Sequence, residues 1–190
     1  MRLATWNVNS VRSRQDRIVD WLQRSDVDVL AMQETKCKDA QFPYQRFTDI
    51  GYEVAHVGLS QWHGVALVSR VGLDDVQRQF ADDQPHFADV LEPRAVGATC
   101  GGVQVWSLYV PNGRDLDHEH YTYKLAWLER LLRKAEALNL LQRGRRTAGS
   151  HARHRLTDNA MVAQVARMIG GLSERARMHF HLALAGPELP

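Results

Sequence analysis

The sequence lacks several features that would place it in a specialised class. It has only two cysteines, Cys37 and Cys100, without metal-ligand spacing, so we predict that both are free thiols. No apolar run is long enough to cross a bilayer, and the N-terminus has no basic and then apolar leader. These absences argue against a disulfide-rich secreted domain and a membrane protein, and they predict a cytoplasmic location.

Several catalytic signatures are also missing. The chain contains no P-loop, no GxGxxG after a strand and no GxSxG motif. His-x-His pairs occur at 118–120 and 179–181, but nothing supplies the remaining ligands at zinc-site spacing. The sequence therefore predicts neither a nucleotide-binding loop of these types nor a zinc centre.

Composition changes abruptly near residue 141. Residues 1–141 hold 16 Lys+Arg and 19 Asp+Glu, a net charge of −3, whereas residues 142–190 hold 8 Arg, no Lys and 3 acids, a net charge of +5. The second segment has no Trp or Tyr and no apolar period, apart from a weak helical stretch at about 158–168. We predict one domain over 1–141 and an irregular, Arg-rich tail over 142–190 that is disordered or partly helical.

The first residues predict a strand, a helix and a second strand. Leu3–Val8 is strand-like, apolar residues at helical spacing follow from Val11, and Val29–Met32 is a second apolar run. Such a unit makes the two strands parallel, so their carboxyl ends lie at the edge where α/β sheets bind ligands. Asn7 ends the first strand and Glu34 follows the second. We therefore expect the two side chains to converge.

Five more strands and one long helix complete the predicted domain. The strands are predicted at 52–57, 64–70, 74–80, 94–99 and 103–110, and Tyr109 lies near the end of the last one. The helix is predicted over His118–Leu141. Its predicted inward residues are Leu125, Leu128, Leu131, Leu132, Ala135 and Leu138.

The residues at the strand ends suggest a hard-metal site. The Glu34 carboxylate and the Asn7 amide oxygen suit Mg²⁺, with Mn²⁺ as an alternative, but two donors make only part of such a site. The basic residues nearby in sequence, Arg12, Arg14, Lys36 and Lys38, suit phosphate contacts. Simpler interpretations stay open: a surface glutamate for Glu34, a core tyrosine for Tyr109 and a turn residue for Asn112.

Four segments carry a family resemblance. They are LATWNVNSVRSR at 3–14, DVDVLAMQETKCKD at 26–39, GVALVSR at 64–70 and WSLYVPNG at 106–113. Together they resemble the exonuclease III family, the bacterial relatives of the abasic-site endonucleases within the endonuclease/exonuclease/phosphatase superfamily. The resemblance covers about residues 1–141.

The resemblance implies a fold and an activity. The fold is a four-layer αββα sandwich of the DNase I-like class, of which residues 1–141 would form the N-terminal half. The activity is Mg²⁺-dependent hydrolysis of DNA phosphodiesters at abasic sites and 3′ ends, in DNA repair. The expected partner is double-stranded DNA, and the expected state of the soluble chain is a monomer.

The resemblance also implies roles for individual residues, which we carry over by matching the motifs. The matched positions are Asn7 and Glu34 at the metal, Tyr109 near the scissile phosphate, and Asn9, Arg12 and Asn112 along the DNA-binding groove.

The resemblance stops near Leu141. The family continues with a strand ending in GDxN and later has an SDH motif, which together position and activate the attacking water, and neither motif occurs here. A frameshift in a GC-rich gene would explain the residues rich in Arg, Ala, Gly and His after this point. A divergent tail or a rearranged gene is the alternative.

The missing motifs lead to two expectations. The chain should be nearly inactive, and the inner face of its first sheet should lack the second sheet that covers it, which favours aggregation or a makeshift cover by the tail. Two other functions stay open. One is a non-catalytic DNA-binding fragment whose Arg-rich tail attracts phosphates, and the other is a phosphatase of the same superfamily.

Overall fold

The computed structural model describes residues 1–88 and 90–147, which form two compact units. The first unit comprises Met1–Phe80 and Phe87–Tyr109, and the second comprises Ala81–His86 and residues 110–147. The rest of the predicted tail, including the helical stretch at about 158–168, lies outside the described residues.

A four-stranded sheet forms the centre of the first unit. Its strands, in spatial order, are β1 (Leu3–Asn7), β2 (Val29–Gln33), β4 (Val65–Ser69) and β3 (Glu53–Val57). β1 and β2 are parallel, whereas β4 runs antiparallel to both of its neighbours. Helix α1 (Val11–Arg24) connects β1 to β2. The predicted strand–helix–strand unit is therefore confirmed.

A second, three-stranded sheet belongs to the same unit. It contains β5 (Asp74–Gln77), β6 (Ala95–Cys100) and β7 (Val103–Leu108), all antiparallel and in that order. Gly101 and Gly102 connect β6 to β7 with φ angles of 53° and 81°. Glycine suits this turn because both residues adopt the left-handed region.

The alternation of side chains along β2 separates two apolar layers. Leu30 and Met32 pack with the buried face of α1, while Val29 and Ala31 pack with the core facing β6. Because both faces of β2 are buried, its sequence is a continuous apolar run. Two short helices that we did not predict join the first layer: a 3₁₀ turn at Asp39–Gln41 and α2 at Tyr44–Thr48.

The expectation that the inner face of the first sheet stays uncovered is largely wrong. Strands β6 and β7 pack against β2, β3 and β4, and the core between the two sheets includes fully buried Val65 and Leu67. The exposed positions of this face lie on β1, where Leu3 is 48% exposed and Thr5 is also exposed, and at Glu53, the first residue of β3. The reason is that residues 74–108 already supply a second sheet, which is one strand narrower than the first.

The second unit is dominated by helix α3 (Glu119–Thr147), which extends past the predicted end at Leu141. Its buried residues recur at helical spacing: His120, Tyr123, Lys124, Trp127, Leu131 and Ala135. None of the helices in the described part of the chain is long and apolar enough to span a membrane.

The predicted inward face of α3 is only partly correct. Leu131 and Ala135 are buried, whereas Leu125 is 40% exposed and Leu128 and Leu132 are half-buried. Leu138 lies among the residues whose side chains are not described. The buried stripe is centred on Trp127, because an aromatic side chain buries more apolar area than a leucine and so determines which face turns inward.

Candidate active site

The carboxyl ends of β1 and β2 bring Asn7 and Glu34 together. Asn7 Nδ2 donates a hydrogen bond to Glu34 Oε1 at 2.7 Å, so the predicted convergence is confirmed. Backbone hydrogen bonds continue the strand pairing beyond the sheet, from Val8 N–H to the Gln33 carbonyl and from Ser10 N–H to the Glu34 carbonyl. Glu34 has a left-handed φ of 54°, an uncommon conformation for a residue with a side chain.

The second sheet contributes Tyr109 to the same carboxylate. The Tyr109 hydroxyl donates to Glu34 Oε1 at 3.1 Å, and Lys36 Nζ lies 3.0 Å from Glu34 Oε2. Asn7, Tyr109 and Lys36 therefore all donate toward one carboxylate, which we call the Glu34 cluster.

The charge states of the cluster follow from these contacts. Burial raises the pKa of Glu34, but the hydrogen bonds from Asn7, Lys36 and Tyr109 outweigh burial and leave it below its ordinary value. Burial and the neighbouring Glu34 charge raise the pKa of Tyr109 to about 12. Near neutral pH the cluster therefore combines an ionised carboxylate with a protonated phenol.

Asn9, predicted to line the DNA-binding groove, lies beside the Glu34 cluster. Its Oδ1 accepts a hydrogen bond from Lys36 Nζ at 2.5 Å, and its backbone N–H donates to Asn7 Oδ1 at 3.1 Å. Arg14 Nη1 donates to the Asn9 carbonyl. Of the four basic residues predicted near this edge, Lys36 and Arg14 are thus built into the site.

Two other predicted residues occupy different settings. Arg12 is exposed on the first turn of α1, and its side chain makes no hydrogen bond within the described part of the chain. Asn112 belongs to the second unit, where its Oδ1 accepts the N–H of Arg114 at 3.2 Å, which is the turn role left open for it.

Sequence analysis missed the residues that hold Tyr109 and the two sheets in place. Gln33 Nε2 donates to Ser107 Oγ at 3.1 Å, and Ser107 Oγ donates to the Met32 carbonyl at 2.7 Å. Arg94 is buried, its Nη1 donates to the Tyr109 carbonyl at 3.2 Å, and its guanidinium carbon lies 4.9 Å from the Tyr109 ring centroid. The available signal was a charged residue directly before an apolar strand, as in EPRAVGATC.

The donor set of the cluster fits part of a magnesium site. Glu34 offers an ionised oxygen ligand whose side chain is 20% exposed. Magnesium commonly takes one or two protein carboxylates and keeps several waters. Among residues 1–88 and 90–147, no group of three or more His, Cys, Asp or Glu side chains comes together as a zinc site would require. The cluster therefore suits Mg²⁺ or Mn²⁺ better than zinc, and it needs further oxygen ligands.

Behind the loop that carries Glu34, the imidazole of His56 on β3 is buried. Its Nε2 lies 2.8 Å from Thr35 Oγ1, and its Nδ1 lies 2.9 Å from Asp39 Oδ1. Burial lowers the pKa of His56 to about 4, although the Asp39 carboxylate acts in the opposite direction. The ring is therefore neutral near pH 7.

We expect the buried His56 to make the fold sensitive to acid. In the unfolded chain His56 binds a proton near pH 6.5, whereas in the folded protein its ring stays unprotonated down to about pH 4. The unfolded state holds more protons in this window, so stability falls as pH falls, by about 3 kcal/mol over the whole window. Urea unfolding at pH 7 and pH 4 measures the loss, and a His56→Gln variant that loses as much stability as the wild type would contradict the assignment.

The fold and the site indicate a class of protein, and comparisons with known proteins identify the family. Two packed sheets with a helix on the outer face of the first are the DNase I-like α/β arrangement of the structural neighbours. Residues 4–148 match the Endonuclease/Exonuclease/phosphatase family, and the chain belongs to this family. The family resemblance predicted from the four sequence segments is therefore confirmed.

Individual relatives are named as nucleases and as a 3′ phosphatase. Exodeoxyribonuclease III of Haemophilus influenzae is 28% identical over 119 residues, covering 63% of this chain and 45% of that protein. The structure of an AP endonuclease from Archaeoglobus fulgidus is 38% identical, with a TM-score of 0.65, over 72% of this chain and 52% of the other. The 3′ phosphatase NExo from Neisseria, bound to a product DNA hairpin, is 31% identical with a TM-score of 0.67, over 73% and 53%.

The chain spans about half the length of these relatives. The structural match supports the predicted α/β fold class and the N-terminal position of the described residues within it.

Proposed function

We propose that this chain carries the metal-binding half of a Mg²⁺-dependent DNA phosphodiester hydrolase of the exonuclease III type. The observation that carries the proposal is the Glu34 cluster, an ionised carboxylate held by three donors at the carboxyl edge of parallel strands. The substrates would be double-stranded DNA with abasic sites or 3′ ends, as the names of the relatives suggest. We place the activity in DNA repair, in a cytoplasmic, monomeric protein.

Each residue of the cluster has a proposed role. Glu34 would hold Mg²⁺, or Mn²⁺ in its place, with the Asn7 amide oxygen nearby. When bound, the metal supplies polarisation of the phosphate and stabilisation of the departing 3′ oxygen. The protonated Tyr109 phenol would donate to a phosphate oxygen, and Lys36 would turn from Glu34 to the phosphate once a cation occupies the carboxylate.

The outer residues would bind the DNA backbone. Asn9 is already part of the hydrogen-bonded group around Lys36, and Arg12 is exposed and therefore able to meet a phosphate. We propose the same role for Asn112 on the strength of the matched motif. These contacts are independent of DNA sequence, as expected for an enzyme that recognises a lesion or an end.

Replacing the Glu34 carboxylate tests the metal site directly. We expect Glu34→Gln to weaken Mn²⁺ binding by at least about 10-fold, because the only charged ligand in the cluster is lost. Electron paramagnetic resonance of free Mn²⁺ measures the affinity. Glu53→Gln, which neutralises an exposed glutamate on β3, is the matched control and should bind as the wild type does. Equal affinity in Glu34→Gln and wild type would refute the site.

The two other candidate functions give different results. The Neisseria relative is described as a 3′ phosphatase, so a panel that includes a 3′-phosphate end separates phosphate removal from phosphodiester cleavage. A non-catalytic DNA-binding fragment would bind DNA in a salt-dependent manner, cut none of the panel and bind equally well after Glu34→Gln.

A further inference from the structure

A chain of polar contacts runs from the loop that carries Glu34 to β3 and back, with buried groups at Thr35 and His56 and a partly exposed carboxylate at Asp39. Thr35 Oγ1 lies 2.8 Å from His56 Nε2, and His56 Nδ1 lies 2.9 Å from Asp39 Oδ1. The Asp39 carboxylate also accepts the N–H of Gly58 at 2.8 Å and pairs with Arg78. The residue Thr35 and the His56 side chain are both 0% exposed, so the relay from Thr35 to Asp39 is closed to solvent at its centre.

The chemistry of the three groups fixes the direction of the relay. Nδ1 lies 2.9 Å from the Asp39 carboxylate, and we assign the proton of the neutral imidazole to Nδ1 because a proton there faces the carboxylate. Nε2 then carries a lone pair, which accepts a hydrogen bond from the Thr35 hydroxyl. Hydroxyl, imidazole and carboxylate stand in the order found in hydrolase triads, but the buried Thr35 cannot reach a substrate. A nucleophilic role is therefore excluded, and the relay must act within the protein.

Thr35 is held in place by several contacts within the loop that carries Glu34. It stands between Glu34 and Lys36, whose φ angles of 54° and 52° are both left-handed. Its N–H donates to the Gly64 carbonyl at 3.2 Å, and its carbonyl accepts the N–H of Val11 at 3.0 Å. Gly64 approaches so closely that a Cβ there would lie 2.1 Å from Thr35 Oγ1, which leaves the hydroxyl little room to move.

We propose that His56 is a positioning residue for Glu34. By accepting the Thr35 hydroxyl, His56 holds the loop in the conformation that directs Glu34 and Lys36 toward each other and Glu34 toward Asn7. This inference rests on the proposed metal-binding role of Glu34. It adds a residue that touches neither metal nor substrate, and it explains why a histidine is buried with both ring nitrogens beside polar atoms.

Mn²⁺ binding to variants of the 190-residue chain tests the proposal. A conservative substitution of His56 should restore the affinity that an alanine substitution loses. We expect His56→Ala and Thr35→Val each to weaken Mn²⁺ binding by about 10-fold. This is the lower end of the loss in metal affinity that follows replacement of a residue supporting a metal ligand. His56→Gln can donate to Asp39 and accept from Thr35, so it should recover most of the affinity. Tyr52→Phe is the stability control, because it removes a buried hydrogen bond to the Val27 carbonyl on another side of the core and should bind as the wild type does.

The outcomes separate this inference from the proposed function. If Glu34→Gln abolishes Mn²⁺ binding but His56→Ala and Thr35→Val bind as the wild type does, the metal site stands and the positioning role is wrong. A His56→Gln variant no better than His56→Ala also overturns the role. If His56→Ala does not fold by circular dichroism, Thr35→Val decides in its place. If the wild type binds no Mn²⁺, the metal site and this inference both fail.

A second measurement needs no metal. Nitrogen-15 NMR of the histidine rings reports which nitrogen of His56 is protonated. The Nδ1–H form is expected in the wild type, and an Nε2–H form would overturn the relay.

Discussion

The purified 190-residue chain is expected to cut an abasic-site duplex at close to the uncatalysed rate, with or without Mg²⁺. The described residues supply a carboxylate, an amide and a phenol at one edge of the two sheets. The GDxN and SDH motifs, which the family resemblance assigns to positioning and activating water, are absent from the sequence. The chain would therefore hold a phosphate beside a metal without an activated nucleophile.

Magnitudes indicate how complete the loss should be. Enzymes lower reaction barriers by roughly 8–23 kcal/mol, and phosphate ester hydrolysis lies at the demanding end of this range. General acid–base catalysis alone contributes about 10²–10⁴-fold. Loss of this contribution together with several metal and phosphate ligands removes most of the barrier lowering, because groups that act as a unit fail together.

A single-turnover assay on an abasic duplex checks this expectation. Exodeoxyribonuclease III of Haemophilus influenzae, a relative about twice as long as the matched region, serves as the positive control. The Glu34→Gln variant sets the background for contaminating nuclease. Mg²⁺-dependent incision by the wild-type chain at about 10 s⁻¹, a typical enzymatic rate, would show that the missing motifs are dispensable.

The convergence of Asn7 and Glu34 was predictable because it depends on a general rule of chain topology. A strand, a helix and a strand in sequence give parallel strands, and parallel strands end at one edge. The apolar run of β2 was equally informative, since a strand buried on both faces shows no alternation. Local pattern and general topology were enough for these two features.

The relay through His56 and the contacts of Arg94 were not predictable in the same way. His56 meets Thr35 and Asp39 only because β3 lies two places from β2 in the sheet, and no spacing in the sequence encodes that distance. The burial of His56 also runs against the usual preference of histidine for half-exposed sites. Tertiary packing determined both features.

The coverage of the first sheet shows a different limit of the sequence. Strands β5 and β6 show only a weak apolar pattern in the sequence. We expected the missing motifs to mean a missing second sheet because we assumed that each half of the family fold forms its own layer. The structure shows residues 74–108 already lying across the first sheet, so loss of the later motifs removes chemistry before it removes the core.

Replacing Arg94 is expected to destabilise the first unit strongly. Arg94 is 3% exposed, and its Nε donates to Glu92 Oε2 at 2.6 Å. Its Nη1 also holds the Tyr109 carbonyl. Arg94→Met would remove the nearest cation from the largely buried Glu92 carboxylate, and breaking a buried pair in this way costs about 3–5 kcal/mol. Urea unfolding at pH 7 measures the free energy of unfolding.

Two further variants identify the cause of that loss. Arg94→Met combined with Glu92→Gln should regain part of the stability, because the carboxylate that has lost its ion pair with Arg94 is then gone. Arg133→Met removes the exposed partner of Glu129 in α3 and should change the free energy of unfolding by at most about 0.5 kcal/mol. If Arg94→Met costs no more than Arg133→Met, Arg94 does not support the β6–β7 end of the site. If the double variant is less stable than Arg94→Met alone, the loss comes from packing over Tyr109 and not from the broken ion pair with Glu92.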